Sequence, residues 1–478
     1  MGRVVFLLTK LVIKYYQPPT KAGGFFYMKK LWQKKYQLNK LAEDYCSGEN
    51  VILDNKLIKH DLLGSIAHVI MLNKIGILSE QELMKLKKCL IEIIFLTQKG
   101  EFSVTFGDED VHTKIENYLT NKLGNLGKKI HTGRSRNDQV LLDLRLFAKE
   151  KFFDVFVSIN QLIDTFLNFA KKYEFVPVPG YTHMQKAMPS SIGLWAASFA
   201  ESLLDDLQLL KASYCLNDQS PLGSGAAYGV PLPIDRNLTA KLLGFSKVQN
   251  NSLYCQTSRP KIQLAIMHAL TQIMLTLSRF AQDVLLFTTS EFNFFTIAPE
   301  LCTGSSIMPQ KKNLDIMEFV RAKTHVIVSN EQEVASITVN LPSGYNADFQ
   351  ETKKPFIEAF ETVIKTLEIV IVTLKSLQPN INILEKACTP KLFATHAAYL
   401  LVKKGAPFRQ AYQKIASSLE NLPKFNVTEI LKSTNHPGGP GNLGLAKLKD
   451  TTKKELKWWK KQQTFFNSSL NKLKGGEK

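Results

Sequence analysis

Residues 262–287 read IQLAIMHALTQIMLTLSRFAQDVLLF, and this stretch decides the fold class. Its apolar side chains recur in steps of four and three from Ile262 to Phe287, which is the period of one face of an α-helix. Sustained strand-type alternation is absent from the sequence. A helix of more than 20 residues with such a stripe is typical of a long bundle packed at small crossing angles.

The same stepping recurs in residues 152–170 and 356–374, and less regular apolar stripes occupy residues 194–210 and 316–334. Each stripe is explained on its own as a face packed into a core. At about 1.5 Å per residue, such helices span roughly 30–40 Å. The sequence therefore predicts an all-α fold built on a long central helical bundle. Apolar stripes on more than one side of these helices also predict that one bundle packs against another.

A chain of 478 residues is too long for one compact core, so we expect several domains. A turn at Gln378-Pro379-Asn380 and a Pro/Gly cluster at 436–441 interrupt the helical pattern. We predict an N-terminal helical domain over 28–135, a central bundle over 136–378 and a C-terminal helical domain with a lysine-rich tail over 379–478. Residues 1–27 are interpreted as a dispensable extension or a misassigned start.

The net charge of +19 is concentrated at the two ends of the chain. The first 35 residues carry eight Lys/Arg and no acid, and residues 447–478 carry ten Lys and three acids. A nucleic-acid-binding face would spread its basic residues differently, so solvated lysine-rich ends are the favoured interpretation. No apolar stretch predicts a membrane span.

The six cysteines are scattered, without a Cys-x-x-Cys pair or a Cys/His cluster. This spacing is typical of reduced thiols in a cytoplasmic protein and disfavours a zinc site or a disulfide scaffold. We therefore expect no metal and no cofactor.

The most informative loop reads GSSIMPQKKNLD over residues 304–315. This loop has little apolar surface to bury, so a purely structural role explains little of its sequence. Ser305 offers a hydroxyl that could take a proton, while Lys311 and Asn313 offer a surface that could hold a carboxylate. Gly304 supplies the backbone freedom that a closing lid needs.

Four more polar segments are dense in hydrogen-bonding groups and are predicted at the ends of long helices; they cover residues 107–112, 130–140, 179–185 and 341–353. Taken singly, His112 and His183 are explained as satisfied histidines. Arg136 is explained as an ion-pair partner and Ser135 as a helix cap. The occurrence of all these segments in one chain favours a functional site.

In their amino-acid sequences and in their order along the chain, these segments resemble the motifs of the argininosuccinate lyase family of the fumarase/aspartase superfamily. The loop wording Met-Pro-Gln-Lys-Lys-Asn and the run from His131 to Val140 are the most specific matches, and the resemblance extends from about Trp32 to about Arg409. It implies a three-domain fold, a homotetramer with active sites built from three subunits, and reversible elimination of argininosuccinate to L-arginine and fumarate. The resemblance further implies that this reaction is a step of arginine biosynthesis.

The resemblance also implies roles for individual residues. Ser305 matches the general base, and Lys311 matches the cation that stabilises developing negative charge. His183 matches the histidine on the leaving-group side, and Glu318 matches its carboxylate partner. The implied substrate-binding residues are Asp54, His112, Ser135, Arg136, Asn137, Thr182, Asn313, Tyr345, Gln350 and Lys353.

Some positions depart from the family pattern. Residues 33–36 read QKKY in place of Gly-Gly-Arg-Phe, Asn50 replaces a serine four residues before Asp54, and Leu314 replaces a proline. Residues 251–260 also differ. These changes concern recognition of the distal part of the substrate. Three alternatives therefore stay open: a sister lyase acting on another succinyl-amine, a catalytically silent crystallin-like protein, and a basic nucleic-acid-binding protein.

Overall fold

The computed structural model of the protein describes residues 39–48, 50–105 and 108–475. The interpretation of residues 1–27 and the departure at 33–36 lie outside these described residues. Residues 47–478 form one compact unit. The division into domains 28–135, 136–378 and 379–478 stays a prediction.

Short and medium helices form the N-terminal part. They are α1 (Lys40–Ser47), α2 (Asn50–Leu53), α3 (Ile58–Lys74), α4 (Glu80–Gln98), α5 (Val111–Leu123) and α6 (Asn125–Lys128). Helix α4 begins at a capping box in which Ser79 accepts from the Glu82 N–H and the Glu82 carboxylate accepts from the Ser79 N–H.

Five long helices form the central bundle. They are α7 (Arg136–Lys172), α8 (Ile192–Asn217), α11 (Arg259–Phe287), α12 (Asp315–Ile337) and α13 (Lys353–Ser376). Each contains one of the five predicted stripes, so the all-α prediction with a long central bundle is confirmed. Their buried faces share aromatic contacts, such as Phe152 with Phe360 at 5.7 Å and Phe166 with Phe280 at 5.3 Å between ring centroids.

Short elements connect the bundle helices and follow them. They are strands β1 (Pro177–Thr182), β2 (Gln185–Ser191), β3 (Gln219–Ser220), β4 (Lys247–Val248), β5 (Phe295–Thr296) and β6 (Gln378–Pro379), with helices α9 (Arg236–Leu242), α10 (Ser252–Thr257), α14 (Ile381–Ala387), α15 (Ala394–Lys403), α16 (Phe408–Ala416), α17 (Val427–Ser433) and α18 (Leu445–Lys474). Strands β1 and β2 form an antiparallel hairpin, β3 pairs with β4 in parallel, and β5 pairs with β6 antiparallel.

The lysine-rich C-terminal tail is the 30-residue helix α18. One face of it is buried: Trp459 stacks on Phe156 of α7 at 5.1 Å, and Phe466 packs against Phe153 at 5.9 Å. Its lysines lie mainly on the exposed face. An apolar stripe within a basic sequence therefore attaches the tail to the bundle.

The bundle helices alternate in direction, which gives the bundle two distinct ends. At one end α7, α11 and α13 begin, and Thr352 donates to Gln263 at 2.9 Å. At the other end the Tyr173 hydroxyl donates to Gln378 at 2.9 Å, next to hairpin β1–β2. We call these the Arg136 end and the His183 end. Helix α7 has 37 residues, so the two ends are separated by about 55 Å.

One helical stretch among the described residues, Ser252–Phe287, is long and apolar enough to cross a membrane by length and composition alone. A core helix passes the same test, and 56% of the most apolar window is buried inside the protein. Helix α11 within this stretch is packed against α8, α12 and α13.

Candidate active site

Thr182 and His183 lie at the tip of hairpin β1–β2. Because Thr182 pairs with Gln185, His183 and Met184 are the two residues of the turn. Their φ angles are 52° and 60°, a left-handed conformation that costs a non-glycine residue roughly 1–2 kcal/mol. The backbone thus holds the imidazole at an exposed tip. The sequence analysis placed this segment at a helix end and missed the hairpin, since the two short strands contain three prolines and show no clear alternation.

The loop at 304–313 is closed at its base by backbone hydrogen bonds between Thr303 and Asn313, at 2.9 and 2.8 Å. The Asn313 amide donates to the Gly304 carbonyl at 3.3 Å. Within the loop, Ser305 Oγ accepts from the N–H groups of Ile307 and Met308, at 3.3 and 3.1 Å. Two N–H donors aimed at one hydroxyl oxygen favour negative charge on it.

Lys311 is exposed in the same loop, and Glu318 is exposed on the first turn of α12. A Cβ atom added at Gly304 would meet no atom within 4 Å, so Gly304 lies in open space. The structure therefore brings Ser305, Lys311, Asn313 and Glu318 to the His183 end. Within the described part of the chain, no hydrogen bond or ion pair joins any of them to His183.

Asp54 and Lys353 form a buried ion pair at the Arg136 end. The Lys353 ammonium lies 2.6 Å from Asp54 Oδ1, and both side chains are 4% exposed. The other oxygen of Asp54 accepts from the Val111 N–H at 3.1 Å. The pair therefore fixes the first residue of α13 against the start of α5.

His112, one residue into α5, lies in a buried acidic cluster. Its Nδ1 is 2.5 Å from Asp61 Oδ2 and 3.9 Å from Asp143 Oδ2. Burial lowers the pKa of His112, but the charge and hydrogen bond of Asp61, together with the charges of Asp110 and Asp143, outweigh burial and raise this pKa to about 9. Burial, with the neighbouring Asp61 charge, raises the pKa of Asp143 well above its usual range. His112 is therefore protonated at neutral pH.

Asp61, His112 and Asp143 also offer three ligand atoms within 4.8 Å of one another, a set that could hold a metal ion. A metal would have to displace the proton from His112, whose pKa of about 9 favours the imidazolium. The sequence analysis predicted no metal site. Asp61 and Asp143 are 51 and 31 positions away from His112 along the chain, so no short spacing marks the three residues as a set.

Ser135, Arg136 and Asn137 form the start of α7. Ser135 is the N-cap and its Oγ accepts from the Asn137 N–H at 3.3 Å. The Arg136 guanidinium donates to Glu109 at 2.5 Å and to Asp110 at 2.9 Å. Ser135 is therefore a helix cap and Arg136 an ion-pair partner, as their structural explanations predicted. The Arg136 guanidinium is still partly exposed.

Asp138, which the sequence analysis did not single out, organises this helix start. Its carboxylate accepts from the N–H groups of Ser135, Gly223 and Gly225 at 2.8–3.0 Å. Burial raises the pKa of Asp138 to about 6 in spite of these bonds. A buried acid at N3 of a long apolar helix was a signal available in the sequence.

Tyr345 and Gln350 lie in the connection between α12 and α13, also at the Arg136 end. Gln350 donates to the Tyr345 hydroxyl at 2.7 Å, and the Tyr345 ring packs edge-on against Phe349 at 6.2 Å. The predicted substrate-binding residues at this end are therefore Asp54, His112, Ser135, Arg136, Asn137, Tyr345, Gln350 and Lys353. Thr182 and Asn313 lie at the other end.

A protein-family model described as a lyase matches residues 42–329. The fold is similar to that of EDDS lyase in complex with formate, with a TM-score of 0.75 at 19% identity over 92% of this chain and 95% of that one. It is also similar to class II fumarase from Schistosoma mansoni, with a TM-score of 0.68 at 16% identity over 80% of this chain and 92% of that one. The fold and the matched family together define an all-α lyase of the fumarase/aspartase superfamily.

Sequence similarity is more specific than fold. Argininosuccinate lyase of Thermotoga neapolitana is 44% identical over 390 residues, which cover 81% of this chain and 97% of that protein. The chain belongs to the argininosuccinate lyase family.

Proposed function

We propose that this protein catalyses the reversible elimination of argininosuccinate to L-arginine and fumarate, as a step of arginine biosynthesis. The observation that carries the proposal is the 44% identity over 97% of the length of a named argininosuccinate lyase. The geometry of the two bundle ends supports it and suggests how the chemistry is divided between them.

The difficult step is removal of a proton from the carbon beside a carboxylate, because the carbanion places a second negative charge on that carboxylate. Each tenfold gain in rate requires about 1.4 kcal/mol of transition-state stabilisation. Ser305 is the proposed base. Its Oγ already accepts two backbone N–H bonds, which would stabilise the alkoxide, and Lys311 would add a cation once the loop closes.

His183 is the proposed group on the leaving-group side, where the departing guanidine needs a proton. Its position at an exposed hairpin tip allows it to enter a site formed with another subunit. Glu318 would orient the ring and support its charge. Thr182, beside His183 on the hairpin, would contact a substrate carboxylate.

The Arg136 end is the proposed binding end. The partly exposed Arg136 guanidinium and the positive end of the α7 helix dipole suit a carboxylate, and Ser135 and Asn137 lie beside them. Tyr345, Gln350 and Lys353 would hold the arginine part of the substrate. Asp54 would position Lys353, and His112 would supply a nearby positive charge.

The separation of the two ends supports a composite site. A gap of about 55 Å along α7 cannot be closed within one chain, so Ser305 and Arg136 can share a substrate only if they come from different subunits. Helix α12 supplies a suitable contact face: Phe319 and Val326, seven residues apart, are 62% and 51% exposed. We therefore propose a homotetramer whose bundles pack together.

A sister lyase that releases fumarate from another succinyl-amine is the second candidate, and Asn50 favours it. The Asn50 amide donates to Glu351 at 3.1 Å, two residues before Lys353. The departure from the family serine thus lies beside the residues proposed to hold the arginine part.

We also propose a cytoplasmic location, consistent with six cysteines that all carry free thiols.

The test is fumarate release, followed by ultraviolet absorbance, from argininosuccinate and from other succinyl-amines. Activity with argininosuccinate supports the proposal, and activity only with another succinyl-amine assigns the sister function. No fumarate from any of them would support the silent crystallin-like alternative. Ser306→Ala, next to the proposed base, is the matched control for Ser305→Ala and should keep its activity.

Subunit mixing tests the composite site. Ser305→Ala and Arg136→Gln proteins, each inactive, are dissociated, mixed in equal amounts and reassembled. If the two residues come from different subunits, about a quarter of the sites regain both intact residues. No recovery in the reassembled mixture would contradict the composite arrangement.

A further inference from the structure

Arg259, the first residue of α11, is a buried cation that has no hydrogen-bonding partner in the described parts of the chain. It is 1% exposed, and its Nε, Nη1 and Nη2 atoms have no partner among the described residues. The guanidinium is always charged in proteins and has five N–H donors to satisfy. The Phe349 ring, 6.0 Å away, covers one face and accepts none of them as a conventional hydrogen bond.

A second buried guanidinium, that of Arg145, lines the same small cavity as Arg259. It is 2% exposed and donates to neutral acceptors only, the Gln219 carbonyl at 2.7 Å and Ser258 Oγ at 3.2 Å. Its Nε has no partner among the described residues. Burial lowers the pKa of both arginines to about 10, as expected where no carboxylate is bonded to either one.

Asp54 is the carboxylate whose charge acts on Arg259, after that of the Tyr345 phenol, and both oxygens of Asp54 are already used. One accepts from Lys353 and the other from the Val111 N–H. Within the described part of the chain, the two guanidinium charges are therefore left without a bonded counter-charge.

A cavity of about 10 Å³ separates the two arginines, close to the space that the centre of one water-sized particle needs. Its polar lining consists of Arg145, Arg259, Asn217 and Gln263. The unpaired atoms among these are nitrogen donors: those of the two arginines and Gln263 Nε2. An anion brings only acceptor capacity and negative charge, which these donors lack, whereas a water molecule also brings two donors and no charge.

We propose that a small monovalent anion of the chloride class is bound in this cavity between Arg145 and Arg259 as a structural ligand. It neutralises the buried charge and ties the start of α11 to α7. Because Thr352 donates to Gln263 in the cavity wall, the anion also braces the residue that precedes Lys353. The site is separate from the proposed chemistry and does not depend on which succinyl-amine is cleaved.

Crystals of the full-length protein grown without chloride and soaked in bromide test the site directly. We expect an anomalous bromide peak at hydrogen-bonding distance from the Arg259 guanidinium, and no such peak in Arg259→Met crystals. No peak at this position, or density there explained by water alone, would overturn the proposal. Lys85→Met removes an equal charge from an exposed position and should leave the peak unchanged.

Thermal unfolding gives a second readout if the Arg259→Met variant does not crystallise. Chloride replaces gluconate at constant ionic strength, and the wild-type midpoint should rise by about 1–2 °C for each tenfold increase in chloride above its Kd. Lys85→Met should show the same rise and Arg259→Met none. A rise that Arg259→Met retains, or no rise in the wild type, counts against the anion.

Discussion

The buried pair of His112 and Asp61 predicts a specific loss of stability in mildly alkaline solution. The pKa of His112 is about 9 in the folded protein against 6.5 for an ordinary histidine. A raised folded-state pKa contributes stability that is fully present below 6.5 and is lost as pH rises through 9. The shift of about 2.5 units corresponds to about 3 kcal/mol of folding free energy, at about 1.4 kcal/mol per unit.

The perturbation is His112→Gln, which keeps a polar side chain and removes the titrating charge. At pH 6.5 the variant should be less stable than the wild type by about 3 kcal/mol, since Asp61 then lacks its cationic partner. By pH 9.5 the part of this difference that comes from titration should fall to about 0.5 kcal/mol or less. The measurement is urea unfolding followed by circular dichroism, at one protein concentration and several pH values.

Other acids near His112 set the controls. Asp143 has a raised pKa, and its ionisation also lowers stability as pH rises, so the informative quantity is the difference between wild type and variant. The lowered pKa of Asp61 acts only in acid, below the range tested. His436→Gln, at an exposed position, should follow the wild-type curve. Parallel pH profiles for wild type and His112→Gln would refute the assigned ion pair.

Three further predictions concern residues at both ends of the bundle. Ser305→Ala should lower kcat by about 10²–10⁴-fold with little change in KM, measured by fumarate release, and a near-normal kcat would exclude Ser305 as the base. Asp54→Asn should cost about 3–5 kcal/mol in urea unfolding because Lys353 stays buried and charged, while adding Lys353→Met should recover most of this loss; equal stability of the single and double variants would contradict that explanation. Met184→Gly should raise the free energy of unfolding by about 0.5–1 kcal/mol, since glycine adopts a φ of 60° without strain, and a clear loss of stability would show that the turn is not strained.

The bundle could be predicted because its information is local. In the stripe from Ile262 to Phe287, each apolar residue is related to the next by the geometry of a single helix. The hairpin at 177–191 could not be recognised in the same way. Its strands are short and contain prolines, and its turn has non-glycine residues at positive φ, so no local preference marks it.

The composition of the candidate site was readable, but its arrangement was not. Through resemblance to a family, the motifs at residues 304–313 and 131–140 predicted which side chains are candidates for the site, and these roles stay predictions. Nothing in the sequence placed Ser305 and Arg136 at opposite ends of one bundle, because that depends on the direction in which each helix runs.

The sequence by itself determined that the chain is helical, which lyase family it belongs to and which residues are candidates for chemistry, since periodicity and motif wording are properties of short segments. Only the tertiary structure decided the charge environment of these residues. The Asp61 carboxylate, 51 positions away, keeps His112 protonated, and Arg259 has no hydrogen-bonding partner among the described residues, because burial and distance in space set the free energy of a charge.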